Sequence, residues 1–152
     1  MNKQQFIDKL EKTWADFNHT YAGMTPEQLV EPGVMGEWSV KDLLAHVSWW
    51  EEETLKHLPE VLQGMRRQRY SVLYGGIDAF NALMTEKWQA LPLAETQKKV
   101  TETHAALIAY LQSVPEEHFA ANTRFRRRLR LDTYGHYPIH AQAIREWREK
   151  IA

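Results

Sequence analysis

The chain contains no cysteine, and this absence excludes three kinds of chemistry at once. Without a thiol there is no cysteine nucleophile, no disulfide framework and no thiolate metal site. Serine is scarce as well, and none of the four serines stands in the Gly-X-Ser-X-Gly arrangement of a serine hydrolase. A metal site in this chain would therefore rest on histidine or carboxylate ligands.

The chain also lacks a long apolar run and an excess of one charge. No 18-residue apolar stretch is present, and the start MNKQQFIDKLEK has no signal-peptide core, so we expect a cytoplasmic protein without a membrane partner. A formal net charge of −1 gives no polyanion-binding signature, which disfavours nucleic acid as a partner. The length of 152 residues predicts one domain, 1–152, with a sizeable core.

Apolar residues recur at helical spacing along most of the sequence. The pattern predicts five helices, over 3–19, from Ser39 to Leu58 or through Pro59 to about 63, and over 77–91, 94–112 and 133–150. Between them, 64–76 is predicted as a loop, and the arginine-rich segment 121–131 as a loop or a short strand. We expect the stripes of these helices to form one core that includes Trp14, Leu43, Phe80 and Ile144. Amphipathic helices joined by short connections indicate a helical bundle.

One histidine lies on an apolar stripe. His46 stands between Leu43 and Trp50 at steps of three and four residues, so its side chain is predicted to face inward. A lone histidine in such a place is usually a hydrogen-bonded core residue. The other histidines near helix ends, His19, His57 and His118, are expected to be solvated.

A second pair of histidines changes that interpretation. His136 and His140 are four residues apart and therefore share one face of the last predicted helix, with Pro138 between them. Proline is tolerated in the first turn of a helix, so we expect this helix to become regular only near His136, or to kink there. If the pair faces His46, three neutral imidazoles form a recognised catalytic metal set with an open fourth position.

Several further residues are candidates for lining a pocket beside these histidines: Trp50, His104, Tyr134 and Tyr137. For each of them, packing in the core is at least as good an explanation. Glu53 could orient a ligand imidazole, but an exposed glutamate is the preferred interpretation. The arginines of 124–130 are interpreted as a solvated loop or the rim of a dimer.

The segments GEWSVKDLLAHVSWWEEE and DTYGHYPIHAQAIREW resemble the DinB/YfiT superfamily, and GIDAFNALMTEKWQALPLAETQKKVTETHAALIAYLQSVPEEHF is similar to its ClbS/DfsB branch. The likeness covers nearly the whole chain. It implies an all-α fold, a four-helix up-down-down-up bundle, and frequent homodimers. It also implies a divalent ion, nickel or zinc, held by one histidine of the second helix and two of the last, which here are His46, His136 and His140.

Two classes of function follow. The first is a metal-dependent enzyme acting on a small molecule, with thiol-dependent transferase or hydrolase-type chemistry at the three histidines. The second is a non-catalytic protein that binds or protects against a reactive small molecule, because some ClbS/DfsB members are linked to resistance without a metal. DNA binding through the arginine segment is a third, weaker hypothesis.

Overall fold

The computed structural model describes residues 1–120 and 123–152, and within these ranges every regular element is helical. Eight α-helices follow one another within the described residues. They are α1 (Lys3–His19), α2 (Pro26–Leu29), α3 (Val40–Leu62), α4 (Tyr70–Leu73), α5 (Ile77–Gln89), α6 (Leu93–Ser113), α7 (Arg124–Asp132) and α8 (Tyr137–Ile151), with a 3₁₀ turn at Glu116–Phe119. The prediction of an all-α fold is confirmed.

Helix α3 is the central element. It packs against α5, α6 and α7, while α1 packs against α8. Its start is fixed by a reciprocal capping box, in which the Ser39 side chain accepts from the Asp42 backbone N–H and the Asp42 carboxylate accepts from the Ser39 backbone N–H. Of the two predicted ends, the longer is the one observed: the helix continues through Pro59 to Leu62.

The predicted core is confirmed at three of its four positions. Leu43 and Ile144 are fully buried and Phe80 is nearly so. Trp14 is only partly buried, because one face of its indole stacks on the His104 ring while the residue also borders a cavity between α1 and α6. The apolar stripes of α1, α3, α5 and α8 therefore meet as their spacing predicts, and α6 contributes to the same core.

The arginine-rich segment corrects the sequence analysis. Instead of a loop or short strand, residues 124–132 form α7, which begins after Thr123, whose hydroxyl accepts from the Arg126 backbone N–H at 3.1 Å. The buried residues Phe125, Leu129 and Asp132 follow the i, i+4, i+7 spacing of a helix face. Positions 121 and 122 lie outside the described residues.

The segment 64–76 is likewise not only a loop, because it contains the one-turn helix α4. No helix within residues 1–120 and 123–152 is both long enough and apolar enough to cross a bilayer.

Candidate metal centre

His46 lies two turns into α3 and its side chain is 6% exposed. Residues Leu43 and Val47 on the same stripe are fully buried, so the helix register that builds the core also turns His46 inward. The imidazole packs against two tryptophans, with ring centroids 4.8 Å from Trp38 and 5.1 Å from Trp49. These contacts hold the ring in one orientation.

His136 is placed by a tight turn between α7 and α8. Its backbone N–H donates to the carbonyl of Thr133 at 2.8 Å, and the N–H of Gly135 donates to the carbonyl of Arg130 at 2.9 Å. A Cβ atom on Gly135 would lie 2.8 Å from that same carbonyl oxygen, so the turn requires glycine here. The close backbone contact fixes where His136 enters the site.

Helix α8 begins at Tyr137, directly after His136, and Pro138 lies in its first turn. A backbone N–H at this point has no intrahelical partner, so proline costs no helical hydrogen bond. His140 follows one turn later and is 5% exposed. The expectation that the helix becomes regular only near His136 is confirmed.

The three histidines meet at their Nε2 atoms. The Nε2 atom of His136 lies 3.1 Å from Nε2 of His46 and 2.9 Å from Nε2 of His140. One ligand nitrogen from each of the three rings lies within 4.8 Å of the others. Nitrogens bound to one zinc ion at about 2.0–2.1 Å and at a tetrahedral angle stand roughly 3.3–3.4 Å apart, so a small outward movement would fit them to an ion.

Burial keeps all three rings neutral. It lowers the pKa of His46 to about 2, with the neighbouring charges of His136 and His140 adding to the effect. Burial also lowers the pKa of His136 to about 3 and that of His140 to about 4. A metal binds the neutral imidazole, so the environment favours the form that a ligand set needs.

The protein atoms alone leave this cluster incompletely bonded. A neutral Nε2 of His136 is either a donor or an acceptor, so it cannot make a good hydrogen bond to both neighbouring nitrogens. The Nδ1 atoms of all three rings are buried and have no hydrogen-bond partner among the described residues. With the ring proton on each Nδ1, the three Nε2 lone pairs converge on one point where a divalent cation would bind, and the residues present therefore fit such an ion.

Two aromatic residues beyond the predicted candidates contact the metal centre. Trp38 and Trp49, which the sequence analysis did not single out, contact the His46 ring. Trp38 also borders a cavity of about 490 Å³ on the side of α5, together with Asn81 and Thr85. The signal that could have identified Trp38 is its position just before the Ser39 cap of the helix that carries His46.

Two of the four pocket-lining candidates make other contacts. The indole N–H of Trp50 donates to Asn81 at 3.0 Å, and its ring packs against Tyr70 and Phe80. The Tyr134 ring lies 5.0 Å from that of Phe6, with the Lys9 ammonium above it. Neither contact reaches the three histidines, and whether these residues line a ligand pocket stays a prediction.

The other two candidates belong to a second buried cluster. Nδ1 of His104 is 2.7 Å from an oxygen of Glu51, and Nε2 of His104 contacts Glu11. The Tyr137 hydroxyl donates to the same Glu51 oxygen at 3.0 Å. This group, the Glu51 cluster, joins α1, α3, α6 and α8 through Glu11, Glu51, His104 and Tyr137.

The two carboxylates of the Glu51 cluster favour the protonated form of His104. Burial opposes the charge on His104, but the hydrogen bonds and charges of Glu51 and Glu11 outweigh it and raise the pKa of His104. Burial raises the pKa of Glu51, which is fully buried. Sequence reasoning missed Glu51, although it stands four residues after Val47 on the inward stripe of α3.

Two expectations about exposure are wrong. Glu53 is 3% exposed and accepts from the Tyr70 hydroxyl at 2.9 Å, because α4 folds back over this part of α3. His57 is 9% exposed and its ring lies parallel to that of Tyr70. Both residues belong to the far end of α3 rather than to the metal centre.

Comparison with known proteins identifies the superfamily of the chain. The sequence model of the DinB superfamily matches residues 9–142, and the chain belongs to that superfamily. No curated protein sequence is significantly similar to the chain.

Solved structures share the fold at low sequence identity. A protein from Streptococcus pneumoniae is 16% identical with a TM-score of 0.81, covering 98% of this chain and 91% of that one. The colibactin self-resistance protein ClbS in complex with double-stranded DNA is 15% identical with a TM-score of 0.76, covering 95% and 94%. DfsB, described as a sibling lethal factor precursor, is 12% identical with a TM-score of 0.80, covering 99% and 96%.

Proposed function

We propose that the chain is a metal-dependent protein of the DinB superfamily that acts on a small molecule at His46, His136 and His140. The observation that carries the proposal is the close approach of the three histidine Nε2 atoms, from two buried rings and one half-buried ring. Membership of the superfamily supports it. Nickel and zinc are the ions that we propose for this site.

The ligand count favours chemistry over a purely structural role. A structural zinc site normally fills all four positions with side chains, whereas three protein ligands leave one for water or a substrate. His104 is the obvious extra histidine, but both of its ring nitrogens face carboxylates. A bound divalent ion would supply Lewis acidity, lowering the pKa of a water or thiol or polarising a carbonyl.

The protein side chains would orient and shield the reacting group. Trp38 and Trp49 pack against the His46 ring and hold it in place. The cavity bordered by Trp38 has a size typical of small-molecule sites. We propose that the small molecule enters from this cavity.

Cobalt loading tests the proposal, because Co²⁺ reports its ligands by visible absorption. Metal-free protein should take up one Co²⁺ per chain, and addition of a low-molecular-weight thiol should produce a thiolate-to-cobalt charge-transfer band. His140→Gln should bind no Co²⁺, whereas Thr85→Ala, which alters only the cavity wall, should keep the ion and weaken the thiol response. A protein that binds no Co²⁺ at near-neutral pH would contradict the metal centre.

A second candidate function is binding of, or protection against, a reactive small molecule without turnover. The fold of ClbS, a self-resistance protein, and of DfsB favours it. Incubation with a thiol and a soluble electrophile separates the two, because an enzyme consumes many equivalents whereas a protective protein stops at about one per chain. The same assay on His140→Gln shows whether consumption depends on the metal centre.

A further inference from the structure

Two arginine-rich segments far apart in sequence meet on one surface. The first precedes α4 and the second is α7, and together they line a cavity of about 500 Å³ at the carboxyl-terminal end of α3. Six arginines border it: Arg66, Arg67, Arg69, Arg124, Arg127 and Arg128. A guanidinium hydrogen bond from Arg124 to the carbonyl of Met65, at 3.1 Å, ties the two segments together.

The helix α7 sorts its arginines onto two faces. Arg124, Arg127 and Arg128 lie at i, i+3 and i+4, and they border the cavity together with Leu131 at i+7. Arg126 and Arg130 are not among its lining residues, and the Arg126 guanidinium lies over the Phe6 ring on α1. The arginine run is therefore not a uniformly solvated surface.

Acidic partners offset only part of the positive charge. Glu60 forms a two-point ion pair with Arg67, at 3.0 and 3.2 Å, and Asp132 lies 3.0 Å from Arg128. For Arg66, Arg69 and Arg124 no carboxylate lies within 4.0 Å in the parts of the chain that the structure describes. Burial and the charges of Arg128 and Arg67 lower the pKa of His57, which borders the cavity, to about 4. In a chain of net charge −1, this cavity is a concentrated positive site.

We propose that this cavity, the arginine pocket, binds a compact ligand that carries two or more phosphate groups. Guanidinium groups match phosphate oxygens with paired, charge-assisted hydrogen bonds, and several arginines around one concavity suit several adjacent phosphates. The cavity volume matches that of small-molecule sites. Inorganic pyrophosphate and a nucleoside triphosphate are two sources of the same chemistry.

The shape of the surface favours a compact ligand over a nucleic acid. The arginines converge on one concavity from two segments, whereas binding of a duplex backbone needs cations spread along many phosphates. Balanced charge over the rest of the chain gives no extended track. Duplex DNA is therefore the competing outcome to exclude.

The arginine pocket is separate from the metal centre. His57 borders the pocket and His46 belongs to the metal centre, and their separation of eleven positions along α3 corresponds to about 16 Å. Binding of phosphate at the pocket should therefore persist when the histidine site is removed.

Calorimetric titration tests the proposal with pyrophosphate, ATP and a short DNA duplex as separate ligands at physiological salt. The pocket variant is Arg66→Gln with Arg69→Gln, both exposed in the native chain. The matched control is Arg126→Gln with Arg130→Gln, which removes the same charge from the other face of α7. His140→Gln forms a third arm, because it removes the metal centre as a binding site for the anion.

We expect pyrophosphate or ATP to bind once per chain, with affinity reduced by roughly tenfold or more in the pocket variant, as the loss of charged hydrogen bonds implies. The control and His140→Gln should change it by less than about threefold. A wild-type chain that binds neither ligand at millimolar concentration overturns the proposal, as does an equal loss in pocket variant and control. Loss in His140→Gln would place the anion on the metal centre, and duplex DNA binding alone would make this surface a nucleic-acid site; either result overturns the compact-ligand pocket.

Discussion

Replacing His104 and replacing His140 should have opposite effects on stability and metal binding. His104 contacts two carboxylates in the Glu51 cluster. Neither His104 nor these carboxylates belong to the group of three histidines that could hold an ion. His140→Ala should abolish metal binding and change the stability of the metal-free protein by only about 1 kcal/mol. His104→Ala should keep the metal and destabilise the fold strongly.

The cost of His104→Ala comes mainly from Glu51. Removing one partner of a buried ion pair typically costs about 3–5 kcal/mol, because the other charge is left uncompensated. The Tyr137 hydroxyl still donates to Glu51, so we expect about 3 kcal/mol. For a chain of this length that corresponds to a fall in melting temperature of about 6–12 °C.

The pH dependence has a definite sign. Without His104, burial holds the pKa of Glu51 above its value in the unfolded chain, so the folded variant keeps a proton that the unfolded chain releases. The stability that the protonated Glu51 contributes is fully present below its unfolded pKa of 4.5 and is lost as the pH rises through its raised folded pKa. The free energy of unfolding of His104→Ala should therefore fall further below that of the wild type at about pH 7 than at about pH 5.

Thermal and denaturant melts of metal-free proteins, with metal analysis of the loaded forms, measure both effects. The double variant His104→Ala with Glu51→Gln supplies the control, because it removes the uncompensated charge and should recover part of the stability. If His104→Ala strips the metal as well, His104 is a fourth ligand and the catalytic interpretation of the site is wrong. If His104→Ala lowers the free energy of unfolding by less than about 1 kcal/mol, the Glu51 cluster does not stabilise the packing of the four helices that it joins.

Three further changes test the core, the turn and the assembly. Leu43→Ala should cost about 2–5 kcal/mol of unfolding free energy, measured by urea denaturation, because the side chain is fully buried; a cost below 1 kcal/mol would contradict the assigned packing. Gly135→Ala should push the turn away from the Arg130 carbonyl and weaken metal affinity, measured by competition with a chelator, and an unchanged affinity would contradict the assigned role of the turn. We also expect a homodimer, since Val72, Leu73 and Ile77 expose apolar side chains next to one another along the chain; light scattering that gives a monomer at micromolar concentration would reject it.

Periodicity predicted most of the fold because the long helices bury their stripes on one another. The steps of three and four through Phe6 and Leu10 gave α1, and those through Leu43 and Val47 gave α3. Helix α7 was not predicted, because five arginines in seven residues mask the helical spacing of Phe125 and Leu129. Only two apolar residues of α7, Phe125 and Leu129, are buried. Packing of α7 against α3 therefore stabilises the helix.

The three histidines were predictable, but their surroundings were not. His46 occupies a position on the apolar stripe of its helix, and His136 and His140 have the i, i+4 spacing of one helix face. Both patterns can be read from neighbouring residues in the sequence. The partners of His104 are residues from two other helices, and no local pattern specifies which carboxylate a buried histidine meets. Glu51 is the clearest case, because a charged residue in a run of three glutamates looks solvated until the helix register is fixed.

Metal content of the purified chain tests the central claim most directly. Protein produced without an affinity tag, and its His140→Ala variant, should be analysed by mass spectrometry of the elements after exposure to nickel or zinc and removal of free ion. We expect about one divalent ion per wild-type chain and none in the variant. A wild-type chain that retains no ion, or a variant that retains as much as wild type, would contradict a metal centre at the three histidines.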